Sequence, residues 1–395
     1  MNKADVIIIG GGVIGSAAAY YLSKRGKKVI QLERDYFCAG ASGSCDQMVI
    51  PQSKAPNDHL TLALQSVELY KNLSKELGTD IEYVQKGGMI LIENEEELKI
   101  MEEVTAKQRA RGMDVEIIST ADAMKRQPGI NPDAVIASTY SAVDGEVNPF
   151  KMNLAFSDGA ARLGAEIHPY TPVTGLVMEG GAVVGVRTPS VTYYADTVVN
   201  AAGAWAPIIG EMAGLNLPIK PRRGQVYITE AVAPYVNHCV LNARYIVAKH
   251  NPSTLKNDHS RKAQLGVGIS LTQSHKGNIL FGSTREFVGY HTNNTYEGLQ
   301  ELLENAVHLM PGLKEMRVIR AMGGVRPYPP DSKPLIGYAK GVPGMFIAAG
   351  HEGDGICLAP ISGRLVADLI CDGRSDIPAA DSFDPNRFDL HLPRT

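Results

Sequence analysis

The stretch Asp5 to Glu33, DVIIIGGGVIGSAAAYYLSKRGKKVIQLE, limits what this chain can fold into more than any other. Val6 to Ile9 form a short apolar run bounded by glycine, the pattern of a buried parallel strand. The run enters Gly10-Gly11-Gly12-Val13-Ile14-Gly15, a G-x-G-x-x-G match. Gly10 permits the tight turn, Gly12 removes a side chain that would block a pyrophosphate, and Gly15 lets helix and strand pack closely. The helix predicted from Val13 to about Lys24 points its free N–H groups and positive dipole end at the same spot. Val29 to Leu32 return as a second strand ending in Glu33, about 20 residues beyond the glycines. A carboxylate there accepts hydrogen bonds from a ribose diol and repels a 2'-phosphate. A chance glycine-rich turn, or a signal peptide with Lys3 ahead of an apolar run, reproduces parts of this pattern. Strand, helix, strand and acidic terminus together point to an adenine dinucleotide.

The remaining composition sets bounds. With 395 residues, 44% of them hydrophobic, the chain can bury a large core and is expected to form two domains. Its 39 basic and 42 acidic residues give a formal charge of -3, so electrostatics offer no reason to expect nucleic acid or an acidic membrane as partner. Five scattered cysteines, Cys38, Cys45, Cys239, Cys357 and Cys371, show neither C-x-x-C nor metal-ligand spacing with histidine. That suits a reducing compartment, and no apolar run approaches the roughly 18 residues of a membrane span. The expectation is a soluble, cytoplasmic protein without a metal.

Along the chain, Gly40 to Ser44 is a loop of small residues that can admit a ligand or serve as a plain turn. Asn57 to Leu77 carries a helical apolar stripe behind an Asn/Asp cap. From Ile81 the texture changes to short strands and a charged helix near Glu95 to Arg111, the start of a second domain. Asn148 to Leu163 reads as a helix with Pro149 in its first turn, and strands follow at 166–169, 174–178, 183–187 and 193–199. The last opens into Asn200-Ala201-Ala202-Gly203-Ala204-Trp205, suited to tight helix packing or to backbone lying against a cofactor. Further strands are expected at 217–230, 244–248, 266–271, 278–282, 316–328, 334–338 and 345–349, with helices over 296–310 and 356–371. Lys249 to Lys262 is a polar, basic loop longer than an ordinary connection, fitting a lid, a partner contact or a solvated loop. The fold class expected is α/β (α+β): a Rossmann-like nucleotide domain over 1–80, 146–220 and 325–395, interleaved with a mixed-sheet substrate domain over 81–145 and 221–324.

Taken in order, six segments carry a resemblance that covers nearly the whole chain. They are the opening glycine turn with Glu33, Gly40 to Ser44, VVNAAGAWA (Val198 to Ala206), the P-x-R-G-Q segment (Pro221 to Gln225), GGVRPYPPDSKPLIG (Gly323 to Gly337) and GHEGDGI (Gly350 to Ile356). The sequence resembles the flavoprotein amine oxidoreductases that include D-amino-acid oxidase, glycine oxidase and sarcosine oxidase. ILFGSTREF (Ile279 to Phe287) and GHEGDGI are most similar to the FAD subunits of multi-subunit dehydrogenases acting on proline, hydroxyproline, opines or glycine, as in hydrogen cyanide synthase.

The resemblance implies FAD held by Gly10, Gly12, Val13, Ile14, Gly15, Glu33 and Arg34, with Ser42, Gly43 and Ser44 near phosphates or flavin. It places Val173 beside the adenine, Ala202, Gly203 and Trp205 against the cofactor, and Gly324 and Arg326 at the flavin. Gly350, Glu352, Gly353, Asp354, Gly355 and Ile356 would pass beneath it, the last helix aimed at the N1/C2 edge that becomes negative on reduction. Gly324 stands where sarcosine oxidases have their covalent cysteine, and no cysteine is expected nearby, so FAD should be non-covalent. Arg326 matches the arginine that binds substrate carboxylate in glycine oxidase and D-amino-acid oxidase; its fork suits two parallel hydrogen bonds, although a structural ion pair would use an arginine equally well. Gly353 replaces an arginine of glycine oxidase, and Tyr245 matches a pocket tyrosine. His351 and Glu352 are acid/base candidates, with a turn role as the plainer reading.

The implied chemistry is oxidation of a small amino or imino acid by hydride transfer to flavin N5. Competing readings are an oxygen-using oxidase and a non-catalytic FAD electron-transfer subunit docking partners through 249–262. An NAD-dependent dehydrogenase would leave both closing glycine-rich segments without a purpose.

Overall fold

In the computed structural model, which describes residues 2–250 and 259–391, two eight-stranded sheets share the chain. The first is ordered Leu335–Tyr338, Met345–Ala349, Thr192–Asn200, Lys3–Ile9, Val29–Leu32, Glu166–His168. Every neighbouring pair is parallel except the first two strands. A hairpin of Gly175–Glu179 and Ala182–Arg187 extends antiparallel from Thr192–Asn200. A strand buried on both faces reads as continuously apolar, and here alternate residues serve two cores. Val6 and Ile8 pack among the helices on one face, while Ile7 and Ile9 join the hairpin side.

The helical layer consists of Val13–Lys24, Asp58–Leu77, Pro149–Arg162 and Gly355–Asp372. Asn57 caps the second of these by accepting from His59 N–H at 2.9 Å, and Pro149 opens the third. The first and last helices come from opposite ends of the chain and pack so closely that a Cβ on Gly363 would sit 2.7 Å from the Ala17 carbonyl carbon. Tyr70 braces the last helix, its hydroxyl donating to Ile356 O at 2.5 Å. Burying side chains such as Leu22, Tyr70 and Phe156 contributes about 1.5–3 kcal/mol each.

The second sheet runs Val318–Tyr328, Lys220–Ala231, Asn278–Gly282, Ser270–Gln273, Cys239–Asn242, Gly88–Ile92, Ala137–Ser141, Glu116–Ser119. Only the pairing of Cys239–Asn242 with Gly88–Ile92 is parallel. Helix Tyr296–Leu309 buries Leu302, Ala306 and Leu309 against it. Cys239–Asn242 has no counterpart among the expected strands: four residues of Cys-Val-Leu-Asn are too short to show a period.

One expected strand is corrected. Residues 244–248 lie in a helix, Ala243–His250, because Ala243 and Ile246 fall three apart on one face and both enter the core. The Tyr245-Ile246-Val247 cluster has strand composition, and tertiary packing overrides it. The strand expected over 266–271 begins later, at Ser270, because Gly266 turns with φ of +58°. Of the long loop expected over 249–262, residues 251–258 lie outside the described residues, while Arg261–Gln264 form a helical turn capped by Ser260.

Candidate functional site

A single cleft runs from the opening glycine turn to the ends of the Lys220–Ala231 and Val318–Tyr328 strands. Its walls include Gly10, Gly12, Val13 and Ile14, then Glu33, Arg34, Ser42, Ser44, Val173, Ala202, Gly203 and Trp205. At the other end stand Tyr245, Gly324, Arg326, Gly350, His351, Glu352, Gly353, Gly355 and Ile356. Gly15, Gly43 and Asp354 do not line it. Gly15 faces Gly10 O, where a Cβ would be at 2.2 Å, and Gly43 faces Cys38 O at 2.3 Å. Both are packing positions.

The glycine turn is fixed by side chains as well as by its own flexibility. Gly10 adopts φ of +119°, and a Cβ there would lie 2.5 Å from Ala201 O. The Glu33 carboxylate accepts from Gly11 N–H at 2.6 Å and from Asp35 N–H at 2.8 Å, so it braces the turn besides facing the cleft. Gln31 donates to Gly10 O at 2.9 Å and Asn153 to Gly11 O at 3.1 Å. Neither was expected from the sequence, although a glutamine inside the apolar run Val29–Leu32 is the kind of signal that marks such a brace. Ser42 Oγ accepts from Val13 N–H at 3.1 Å at the helix start. Beyond Glu33, the Arg34 guanidinium lies 3.9 Å over the Trp205 ring, and Trp205 stacks on Tyr290 with centroids 5.5 Å apart.

At the other end the Lys220–Ala231 and Val318–Tyr328 strands pair antiparallel, with Arg222 directly opposite Arg326 and Gly224 opposite Gly324. Side chains alternate in facing. Arg223 and Gln225 therefore point away, into a network in which Arg223 Nη2 meets Glu286 Oε2 at 2.5 Å and Gln225 donates to Glu286 Oε1 at 2.9 Å. Burial alone would raise the Glu286 pKa, but hydrogen bonds from Arg223, Thr284 and Gln225 hold it below the ordinary value.

Arg326 lies flat across Gly224, where a Cβ would come within 2.4 Å of its Nη2. Its Nη2 donates to Ser283 Oγ at 2.6 Å and its Nη1 to Thr284 O at 3.0 Å. Burial draws its pKa below the ordinary arginine value, with Glu352 opposing and Arg285 and Arg222 adding to the fall. Two cations directly opposite on a ladder repel. Glu352 relieves this by pairing with Arg222, itself 4.2 Å over the Tyr328 ring. One guanidinium thus has a carboxylate partner, while among the described residues Arg326 has only neutral acceptors for its hydrogen bonds. Tyr245 completes this end, its ring 3.7 Å beneath the Arg285 guanidinium.

His351 is buried, its Nε2 3.0 Å from Ser362 Oγ, and burial, with His59 nearby, lowers its pKa to about 3. The ring is neutral at ordinary pH and tied to the helix that follows. Asp354 turns away to Lys54. One expectation about cysteines is corrected: Cys45 lines the cleft, because Ser44 packs on Gly324, where a Cβ would lie 2.7 Å from Ser44 Cβ. Its thiol points at Ser42 O at 3.3 Å, and burial pushes its pKa well up, so it stays protonated.

Residues 5–369 match the family model described as FAD dependent oxidoreductase (DAO). The chain belongs to that family. It is 31% identical over 378 residues to the glycine oxidase of Geobacillus kaustophilus, covering 93% of each chain. To hydrogen cyanide synthase subunit HcnC of Pseudomonas aeruginosa it is 29% identical, covering 94% of this chain and 93% of the relative. Among solved structures, L-proline dehydrogenase from P. horikoshii aligns with a TM-score of 0.88 at 30% identity over 98% of both chains. Glycine oxidase from G. kaustophilus aligns at 0.86 and 30%, covering 98% of this chain and 99% of that one.

FAD is the cofactor of this family, and the cleft of this FAD-dependent oxidoreductase fits it. Gly10, Gly12, Gly324 and Gly353 line the cleft without side chains of their own, and the Glu33 carboxylate faces the same space. Two helix N-termini, at Val13 and Gly355, also reach it. Among the described residues no helix is long and apolar enough to cross a membrane.

Proposed function

We propose that this enzyme oxidises a small α-amino or imino acid at its Cα–N bond, of the glycine, sarcosine, D-amino acid, proline or hydroxyproline type. The single observation that carries the reading is Arg326, a partly buried guanidinium beside the cofactor cleft with no carboxylate among its hydrogen-bond partners in the described residues, held flat over Gly224 by Ser283 and Thr284. A substrate carboxylate supplies the charge Arg326 lacks, and a planar fork fixes its orientation. Bound FAD supplies a two-electron acceptor: the substrate loses a hydride from carbon and a proton from nitrogen and leaves as an imine. The chain's own contribution is binding, orientation and exclusion of water by Tyr245 and the strand ends. His351, neutral and bonded to Ser362, acts in this reading as a strut between turn and helix.

The test is anaerobic mixing of the purified flavoprotein with a panel of amino and imino acids. At least one should bleach the flavin absorbance. Arg326→Ala should raise the substrate concentration needed by about 100-fold while FAD stays bound. A panel without effect, or unchanged bleaching in the variant, would overturn the reading.

A second reading concerns the acceptor, and the relative named as a subunit of hydrogen cyanide synthase favours it. Here the chain is the FAD subunit of a larger assembly that passes electrons onward. Rapid peroxide release by the isolated chain would favour an oxidase instead. Failure of every substrate to bleach the isolated flavin would favour an electron-transfer subunit.

A further inference from the structure

Lys54 is a fully buried cation that the carboxylate clamp does not use. Its relative exposure is 1%, and its Nζ donates to Ile50 O at 3.0 Å and to Ser53 Oγ at 2.9 Å. The same atom lies 2.7 Å from Asp354 Oδ1. Asp354 is equally buried and occupies the residue before the last helix, Gly355–Asp372. Aspartate there ordinarily caps its own helix by accepting from the first turn. In this chain the side chain makes no cap bond. It turns to Lys54 instead, with His59 Nε2 3.4 Å from its other oxygen.

The location gives that arrangement a consequence. Gly353, Gly355 and Ile356, on either side of Asp354, line the cofactor cleft. The first N–H groups of a helix lack intrahelical acceptors and carry positive partial charge. An uncompensated carboxylate at this point would cancel that field, and in a poorly solvated site the cancellation would be strong.

We propose that Lys54 is a positioning residue for the electrostatics of the bound flavin. By neutralising Asp354 and drawing it off the helix end, it leaves the N-terminal turn of the last helix positive toward the cleft, which favours the cofactor's reduced, more negative form. The proposal rests on the family's cofactor and not on any choice of substrate. It is measured without one.

The experiment is the midpoint potential of bound FAD, by dye equilibration at about pH 8, above the ordinary range of His59 and His351. Four proteins are compared: wild type, Lys54→Gln, Asp354→Asn and the double variant. Lys54→Gln should disfavour reduction by about tenfold, or about 30 mV for a two-electron couple. Asp354→Asn should favour it, and the double variant should lie within about threefold of wild type. A mere strut between the 50–54 segment and the helix would move both single variants in the same direction, or neither, and either result overturns the proposal. Should Lys54→Gln alone fail to fold, adding it to Asp354→Asn must still lower the potential of that background. Equal potentials in this pair overturn the proposal as well.

Discussion

The two ends of the cleft are built on different principles. At the Gly10 end a contiguous strand-turn-helix-strand supplies glycines and backbone N–H groups, braced by Gln31, Glu33 and Asn153. At the Arg326 end, polar and charged side chains arrive from separate segments: Arg222 and Arg326 from paired strands, Ser283 from just beyond the strand Asn278–Gly282, and Glu352 from the closing turn. Under the proposed function, the first end recognises the cofactor by shape and backbone dipoles, which tolerate little added volume. The second would recognise substrate by charge placed on a sheet surface, where one extra methyl group can displace a whole guanidinium. Cofactor retention should therefore be sensitive at one end and substrate affinity at the other.

The largest test of that division is Gly10→Ala. Its positive φ and the 2.5 Å approach to Ala201 O should weaken FAD binding about 100-fold or more, read by flavin fluorescence on dilution. Gly224→Ala should do the reverse. Its Cβ would displace Arg326 and raise KM about 30-fold with FAD retained. If Gly224→Ala sheds the cofactor, the two ends are not separable. Glu352→Gln should lower stability by about 2 kcal/mol in denaturant titration, because it leaves Arg222 and Arg326 opposed on the ladder without a carboxylate.

The last test concerns pH. With a folded pKa of about 3, His351 refuses the proton that the unfolded chain takes up near its ordinary value of 6.5. Its contribution is complete above about pH 6.5 and is lost as pH falls toward 3. The difference in stability between His351→Gln and wild type should therefore shift in the variant's favour by up to about 1.4 kcal/mol per pH unit between pH 6.5 and 4, measured by thermal or denaturant unfolding.

The same contrast explains what could be read from the residues alone. The Gly10 end is legible because its parts lie within thirty residues at fixed spacing, and strand and helix periods hold throughout Val6 to Leu32. Arg326 is legible through the company it keeps in GGVRPYPPDSKPLIG. Its seat over Gly224, its bond to Ser283 and the Lys54–Asp354 pair are not, since each joins positions from 43 to 300 residues apart. Tyr245 is marked as a pocket residue but expected on a strand, because its local composition favours β structure while Ala243 and Ile246 are drawn into the core as helix.

The close contact of Ala17 with Gly363 also bears on biosynthesis. A ribosome makes the glycine turn more than 300 residues before the helix Gly355–Asp372 that packs on Val13–Lys24, so the nascent chain holds half a cofactor site over that interval. Flavin capture then waits for Gly355 and Ile356 to reach the cleft, and polypeptides truncated ahead of Gly355 should be held by chaperones and cleared by proteases.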